Sequence, residues 1–387
     1  MNPGDMSGIY RAPQQESVLY GRPWGEILAA ELDRCSANRV FVVASTHYAA
    51  SANLEAAMRA ALGARFVGMT SGVREHAPRA DVVRIANEAR RAGADFLFAI
   101  GGGSVIDATK VALLCLATDA RDTEQLGALA HTRKPSLQTQ LPVRMGAIPT
   151  TLSGAEFTYF AGCTDMATRT KEGYFHPLMA PRFVILDAAV TRGTPQSTWL
   201  STGVRSLDHA VEALCSKAAT PIADAAALHA LKLLSASLVR NHDEPTDDNA
   251  RLQSQCGVWL AAVGLQSGVP MGASHGIGHA LGGTAGVPHG VTSCLMLPHV
   301  LRWNHSVNAD RQAAISAALG EPGADAGDVV ARLVERLGLP NRLRDVGVAR
   351  EQFAEIADHA FHDPWTEANP RRLRDAREIV DLLEKAW

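Results

Sequence analysis

Apolar residues recur along this chain in two different periods, and the change between them falls near residue 190. Before it, short apolar runs rich in β-branched residues at 18–20, 39–44, 65–69, 95–100, 143–148 and 183–187 read as strands. Between them, 24–35, 49–62 and 79–92 carry apolar residues at helical spacing, and a further helix is predicted directly after residue 104. Strand–helix alternation of this kind predicts a parallel sheet with covering helices. Residues 1–16 read as a flexible arm, and 121–140 as a polar loop with a short helix. Beyond 190 the strand pattern stops. Helices are predicted at 202–217, 223–239, 250–266, 274–281, 291–305, 309–319, 326–337, 350–360 and 370–387. The expected architecture is an α/β domain over 1–190 and an all-helical domain over 191–387, with the active site in the cleft between them.

Composition narrows the possible partners. A chain of 387 residues with 47% apolar content can build two ordinary cores. The formal net charge of −3 points to no nucleic-acid or anionic-membrane partner. Six cysteines, with no Cys-x-x-Cys pair, fit a reducing cytoplasm rather than a disulfide framework or a Cys-ligated zinc. The first residues show no signal-peptide pattern, and no stretch reads as a membrane span, since 94–117 is broken by glycines and by Asp95, Asp107 and Lys110.

Two stretches carry candidate chemistry. The strand ending at Ile100 runs into Gly101-Gly102-Gly103-Ser104 and then a helix. Glycines let a ligand approach the backbone, and N–H groups at a helix start attract phosphate. The turn is therefore either a pyrophosphate cradle or a tight strand–helix connection, with Ser104 as the expected cap and Asp107 completing a capping box. The spacing differs from the usual Gly-x-Gly-x-x-Gly fingerprint and follows a late strand. After strand 143–148 comes Pro149-Thr150-Thr151-Leu152-Ser153-Gly154-Ala155-Glu156, whose hydroxyls either bond a cofactor ribose or amide or cap turns.

The second stretch, 271–290, holds His275 and His279 at i and i+4, one turn apart on one helix face, with His289 after a Gly-rich turn. Arg205 and His209 repeat the i, i+4 spacing upstream, and Glu212 lies a turn further. Convergent imidazoles make either a metal site or a proton-handling site. No Glu stands between His275 and His279, so the pattern is not that of a zincin.

Taken together, 101–110, 149–156, 274–283 and Pro288-His289-Gly290 resemble the iron-containing (group III) alcohol dehydrogenases, and within them the maleylacetate reductases. The resemblance covers nearly the whole chain. It implies a dinucleotide-binding α/β domain plus a helical domain, a dehydroquinate synthase-like architecture, and hydride transfer between NADH or NADPH and a carbonyl. It further implies that Gly101, Gly102, Gly103, Ser104 and Asp107 belong to the cofactor site, with Thr150, Thr151 and Ser153 near the nicotinamide and its ribose and Lys171 as a cofactor-contacting lysine. A homodimer in the cytoplasm is expected from the family. In its metal-dependent members one Asp and three His bind a divalent ion. The matching imidazoles are His209, His275 and His289, with His279 a further active-site His.

The Asp is missing. One turn before His209, this chain has Arg205. Asp208 points about 100° away from His209 around the helix and reads as a poor substitute. A guanidinium beside a dication is repelled by several kcal/mol even at an effective dielectric of about 20. Arg205 is therefore expected to stand where the metal would, pairing with a substrate carboxylate or steadying a nascent alkoxide. The alternative is an Arg205 that swings out toward Asp208 or Glu212 while a metal binds three His. Maleylacetate reductases also depart from the metal Asp, typically with Asn, whereas Asp107 and Lys110 look like the alcohol dehydrogenases. The strand 42–44 is followed by Ser45-Thr46 and no acid, which admits the 2′-phosphate of NADPH.

Three functions follow as expectations. The first is an NAD(P)H-dependent reductase of a small carboxylate-bearing carbonyl, with maleylacetate, reduced to 3-oxoadipate in aromatic-compound degradation, as leading substrate and with Arg205, His209, His275, His279 and His289 as catalytic group. The second is a metal-dependent alcohol dehydrogenase using Fe or Zn, and the third a non-catalytic cofactor-binding relative.

Overall fold

The computed structural model describes residue 10 and residues 14–51, 53–130, 140–168 and 170–387. The chain forms two compact units. One contains the described residues from 14 to 195 together with 245–255, and the other contains residue 10, 196–244 and 256–387.

The α/β unit is built on six strands: β1 Ser17–Tyr20, β2 Val40–Ala44, β3 Phe66–Thr70, β4 Phe96–Gly101, β5 Arg144–Pro149 and, after the hairpin strands β6 Phe160–Asp165 and β7 Thr170–Phe175, β8 Phe183–Leu186. The order is β1-β8-β5-β4-β2-β3, every pair parallel. Helices α1 Trp24–Arg34, α2 Thr46–Ser51, α3 Leu54–Leu62, α4 Arg79–Arg91, α5 Gly103–Thr118, α6 Thr123–Gly127 and α7 Ala188–Thr191 complete the unit. Two cores form, one rich in side chains of α4 and α5 and the other in those of α1 and α3. At the sheet centre the Phe183 ring stacks on Phe96 with centroids 5.8 Å apart. Gly146 makes room for it, since a Cβ there would lie 2.5 Å from the ring.

All six strands fall where the apolar runs predict them. The antiparallel hairpin β6–β7 was not foreseen, because β7 is exposed at four of its six positions and lacks an apolar run. The helix expected at 49–62 is two, separated at Asn53, whose φ of 45° breaks the helical path. Residues 1–9 and 11–13 of the expected arm, and 131–139 of the expected loop, lie outside the described residues. Gln15 and Glu16 are not loose, however. The Gln15 side chain donates to the Glu156 carbonyl at 3.1 Å, and the Glu16 carboxylate pairs with Arg182 and Arg34. Residues 245–255, past the expected boundary at 190, join this unit through Arg251, which donates to the Thr191 carbonyl at 2.9 Å.

The helical unit comprises α8 Gln196–Cys215, α9 Pro221–Asp243, the second half of α10 Asp248–Gln266, α11 Ala273–Ala285, α12 His289–Ala318, α13 Ala326–Arg336, α14 Phe353–Phe361, α15 Pro364–Ala368 and α16 Ala376–Ala386. The expected pair 291–305 and 309–319 is one element kinked at Asn308, where φ is −148° and ψ 35°. The expected final helix over 370–387 starts only at Ala376, where Asp375 caps it by accepting from the amides of Arg377 and Glu378. The helix before it, α15, was not foreseen. The statement that no stretch reads as a membrane span also needs correction. By length and composition α9 qualifies, with mean hydropathy 1.5. It buries Ala227, Leu231, Leu234 and Leu238 along one face.

Candidate active site

The Gly-rich turn lies in the α/β unit at the carboxyl ends of β4 and β5, where Gly101 and Pro149 are register partners. α5 begins at Gly103 with Gly102 as its N-cap, and no side chain caps it. Ser104 is therefore not the cap. It sits inside the first turn, where its hydroxyl accepts the His76 amide at 3.1 Å. Asp107 does not close a capping box either. Its carboxylate accepts the Gly162 amide at 3.2 Å and lies 3.7 Å from Lys110 Nζ. Lys110 is fully buried and donates to the Ala155 and Phe160 carbonyls and to the Thr158 hydroxyl, so it ties α5 to the segment after β5.

That segment explains two of the glycines. A Cβ on Gly102 would lie 2.9 Å from Thr151 Cγ2, and one on Gly103 2.9 Å from Ser153 Oγ. Thr150 is buried and its carbonyl accepts from the Thr194 hydroxyl at 2.6 Å. Lys171, on β7, passes over Gly162, where a Cβ would meet its Cε at 2.2 Å, and its charge acts on Asp107. Gly101–Ser104, Thr150, Thr151, Ser153, Asp107 and Lys171 thus form one neighbourhood. An uncapped helix start flanked by glycine is the donor set that a pyrophosphate requires, so these residues fit a dinucleotide.

The second neighbourhood lies within the helical unit. On α8, Arg205, Asp208, His209 and Glu212 fall at i, i+3, i+4 and i+7, one stripe of the helix. Asp208 thus shares the stripe that the angle to His209 alone seemed to deny it. Glu212 accepts the amides of Gly272 at 2.8 Å and Ser274 at 2.9 Å, capping the start of α11, and its Oε2 lies 2.7 Å from His275 Nδ1. Asp208 Oδ2 accepts the hydroxyls of Ser274 at 2.7 Å and Ser293 at 2.6 Å and is 3.4 Å from His275 Nδ1. Arg205 is 3% exposed. Its Nη2 lies 2.8 Å from His289 Nε2, and its Nη1 donates to Thr292 at 3.2 Å and Ser293 at 3.4 Å. Arg205 thus lies against the imidazole group. Its guanidinium does not swing out.

The glycines between the histidines are spacers for these groups. A Cβ at Gly278 would lie 2.8 Å from Thr292 Oγ1 and 3.2 Å from Arg205 Nη1, and one at Gly276 2.1 Å from Thr366 Oγ1. The imidazoles stack in pairs: His209 on His275 with centroids 4.8 Å apart, and His279 on His289 at 5.6 Å. Trp365 closes the group at 4.8 Å from His279 and 5.5 Å from His275. His279 Nδ1 lies 2.9 Å from Asp363 Oδ2. Asp363, Trp365, Thr292 and Ser293 carry no chemical pattern in the sequence. Only the helix-start signal Asp363-Pro364 was there to be read.

Burial dominates the electrostatics. Desolvation, reinforced by the Arg205 charge, lowers His209 to about 3 and takes His275 well below its ordinary range, so both are neutral. Desolvation also lowers Arg205, to about 10, leaving it protonated at neutral pH. It pushes the carboxyls of Asp208 and Glu212 up, each opposed by Arg205. Three buried atoms of the group, Asp208 Oδ1, His209 Nδ1 and His275 Nε2, have no hydrogen-bond partner among the described residues, which marks where a polar ligand would be held.

A metal fits this arrangement poorly. Of the three imidazoles matched to the family's ligands, His289 already has its Nε2 on the Arg205 guanidinium. A dication there would be repelled by about 4 kcal/mol per unit of its charge at 4 Å and an effective dielectric of about 20. Asp208, Glu212 and His275 bring ligand atoms within 4.8 Å of one another. Both Glu212 oxygens and Asp208 Oδ2, however, already hold the start of α11 and two serine hydroxyls, so an ion that takes Glu212 as a ligand would have to displace those bonds.

Comparison with known proteins covers both parts of the chain. Residues 16–188 match the iron-containing alcohol dehydrogenase model, and 199–387 match the Fe-containing alcohol dehydrogenase family, C-terminal. The chain is 34% identical to the dehydrogenase FUM7 of Gibberella moniliformis, over 95% of each chain. It is 32% identical to the maleylacetate reductase of Burkholderia cepacia, over 96% of this chain and 95% of that one. The crystal structure of 1,3-propanediol oxidoreductase superposes with a TM-score of 0.90 at 26% identity, covering 98% of this chain and all of that one.

Proposed function

The chain belongs to the iron-containing alcohol dehydrogenase family, and from that premise we propose that this oxidoreductase is an NAD(P)H-dependent reductase of a small carboxylate-bearing carbonyl compound, with maleylacetate as leading substrate. One observation carries the reading: the buried guanidinium of Arg205 lies 2.8 Å from His289 Nε2, at the position where metal-dependent relatives keep their ligating Asp. The relative named maleylacetate reductase supports the substrate. Ser45, which follows β2 where an acid would select NAD, supports use of NADPH as well as NADH.

Reduced nicotinamide supplies the hydride. On maleylacetate the hydride adds to the double bond at the carbon β to the ketone, and charge collects on the ketone oxygen as an enolate. Arg205 stabilises that oxygen, or the alkoxide of a simple carbonyl, by a charge-assisted hydrogen bond, and its charge also attracts the carboxylate of an acid-bearing substrate. Because the guanidinium is already fixed by Thr292, Ser293 and His289, little reorganisation accompanies the step. His209 and His275, both neutral, add no competing charge. His279, the partly exposed imidazole, gives a proton to the enolate carbon α to the ketone, or to the alkoxide of a simple carbonyl, and regains it from solvent.

The test is a screen of maleylacetate and simple aldehydes with both cofactors, with and without EDTA, on wild type and Arg205→Asp. Expected are EDTA-insensitive turnover of the acid-bearing substrate by wild type, and metal uptake with loss of that substrate in the variant. Identical behaviour of the two proteins would remove the role given to Arg205.

A second reading, a metal-dependent alcohol dehydrogenase, is favoured by the proximity of Asp208, Glu212 and His275. Stoichiometric Fe or Zn after dialysis, with chelator-sensitive turnover, would establish it in place of the first.

A further inference from the structure

Around His279 the structure holds more than the family pattern requires. The ring lies between His289 and Trp365, with centroids 5.6 Å and 4.8 Å away. Its Nδ1 is 2.9 Å from Oδ2 of Asp363, while Oδ1 of the same carboxylate accepts the Trp365 amide at 2.8 Å and caps α15. Each oxygen of Asp363 therefore has its own task. α15 is itself fixed against α11. Gly276 has no side chain to meet Thr366, and Asn369 accepts the Ala273 amide at 3.1 Å while donating to Asn304 at 2.7 Å. These anchors hold α15, and with it the Asp363 carboxylate, in place against α11.

We propose that Asp363 is a positioning residue for His279: it accepts the Nδ1 proton, fixes that tautomer and the plane of the ring, and leaves Nε2 as the nitrogen that meets substrate. The inference rests on the reading of His279 as the proton-relaying group. The physical reason is that a neutral imidazole has one donor and one acceptor nitrogen, and the hydrogen bond made by one of them decides which is which. A carboxylate only accepts, so it selects the Nδ1–H form. Asp363 itself neither touches substrate nor changes protonation in this scheme.

The decisive variant is Asp363→Asn. Asn keeps an oxygen for the Trp365 amide, so α15 stays capped, but offers His279 an N–H in place of an acceptor. His279 then turns acceptor at Nδ1 and carries its proton on Nε2. Ring ¹⁵N shifts in histidine-labelled full-length protein, assigned by the signals lost in His279→Gln, read this tautomer without substrate. The expected result is Nδ1–H in wild type and Nε2–H in Asp363→Asn. With the carbonyl that wild type reduces fastest, kcat falls roughly 100-fold while KM stays within about threefold. Asp363→Ser, which keeps the cap with a hydroxyl, loses kcat without a drop in Tm, and Asp363→Asn costs nothing further in a His279→Gln background. The proposal is overturned if wild type shows Nε2–H, if Asp363→Asn leaves tautomer and kcat unchanged, or if kcat in both variants falls only in step with Tm. Because the tautomer is read on the resting protein, that outcome is separate from failure of the substrate assignment, which the carbonyl screen reports.

Discussion

Around Gly101 the candidate binding site of the α/β unit is built from backbone, whereas around Arg205 the candidate site of the helical unit is built from buried polar and charged groups. The turn at 101–104 offers an uncapped helix start, and the side chains beside it brace its position. In the helical unit a guanidinium, two carboxyl groups and two imidazoles lie on or beside one stripe of α8 and the start of α11, almost wholly out of water. The first arrangement works for any dinucleotide enzyme and tolerates change in everything except shape. In the second, one substitution changes the net charge of a low-dielectric space and with it the chemistry that the space supports.

The largest effect is expected at Glu212. Its carboxylate serves two amides and an imidazole, so Glu212→Ala leaves three buried donors without an acceptor. A loss of about 3 kcal/mol or more of stability follows, read as a shift of the denaturation midpoint. A stability unchanged from wild type would mean that the buried network is less demanding than its geometry indicates.

Arg205→Asp leaves a third buried acid beside Asp208 and Glu212 and costs the fold about 1–3 kcal/mol, but its chief effect is on function, since acid-bearing substrates lose their charge partner. A fall of roughly 100-fold in kcat/KM for them, against about tenfold or less for a simple aldehyde, is expected for loss of one charge-assisted contact. Equal losses on both substrate classes would put the guanidinium on the transition state alone and remove its part in specificity.

On the backbone side, Gly103→Ala introduces a methyl 2.9 Å from Ser153 Oγ. Cofactor KM should rise several-fold with kcat nearly intact, as expected when ground state and transition state lose the same contact. Adding Ser153→Gly should restore it. If the second change gives no relief, Ser153 contacts the cofactor directly and is more than a neighbour of the turn.

The smallest effect lies at Glu16. Its bonds to Arg182, opposed by partial burial and helped by Arg34, hold its pKa at about 2, below the ordinary 4.5. A carboxyl depressed in the folded state stabilises above its unfolded pKa, and that stability disappears as pH falls from about 4.5 toward 2. Because the side chain is 36% exposed, solvent screening reduces the contribution to under about 1 kcal/mol. Glu16→Ala should therefore remove only a small part of the acid sensitivity seen in urea titrations between those pH values.

Legibility divides along physical lines. The six sheet strands, the helices that cover them and the Gly-rich turn follow from local patterns. A strand buried on both faces must be apolar throughout, and a helix with one buried stripe must repeat every three to four residues. The candidate histidines were legible for the same reason, since i, i+4 spacing is itself a geometric statement. The hairpin β6–β7 and the short helix α15 were not, because a two-stranded edge and a five-residue helix bury too little to leave a period in the sequence. Arg205 could be read as a substitution at a familiar position, but that Gly278 clears its place and Thr292 and Ser293 hold it could not.

By itself the sequence determined the alternation of elements, the two kinds of site and the identities of the groups at their centres, because these depend on neighbours within one or two turns. Tertiary structure alone decided that Ser104 caps nothing, that Asp208 and Glu212 are spent on Ser274, Ser293 and the start of α11, and that Asp363, 84 residues from His279, shares a hydrogen bond with it. Hydrogen-bond partners of buried polar groups are chosen by whatever the packed chain brings within 3 Å, and no local pattern encodes which distant residue that will be.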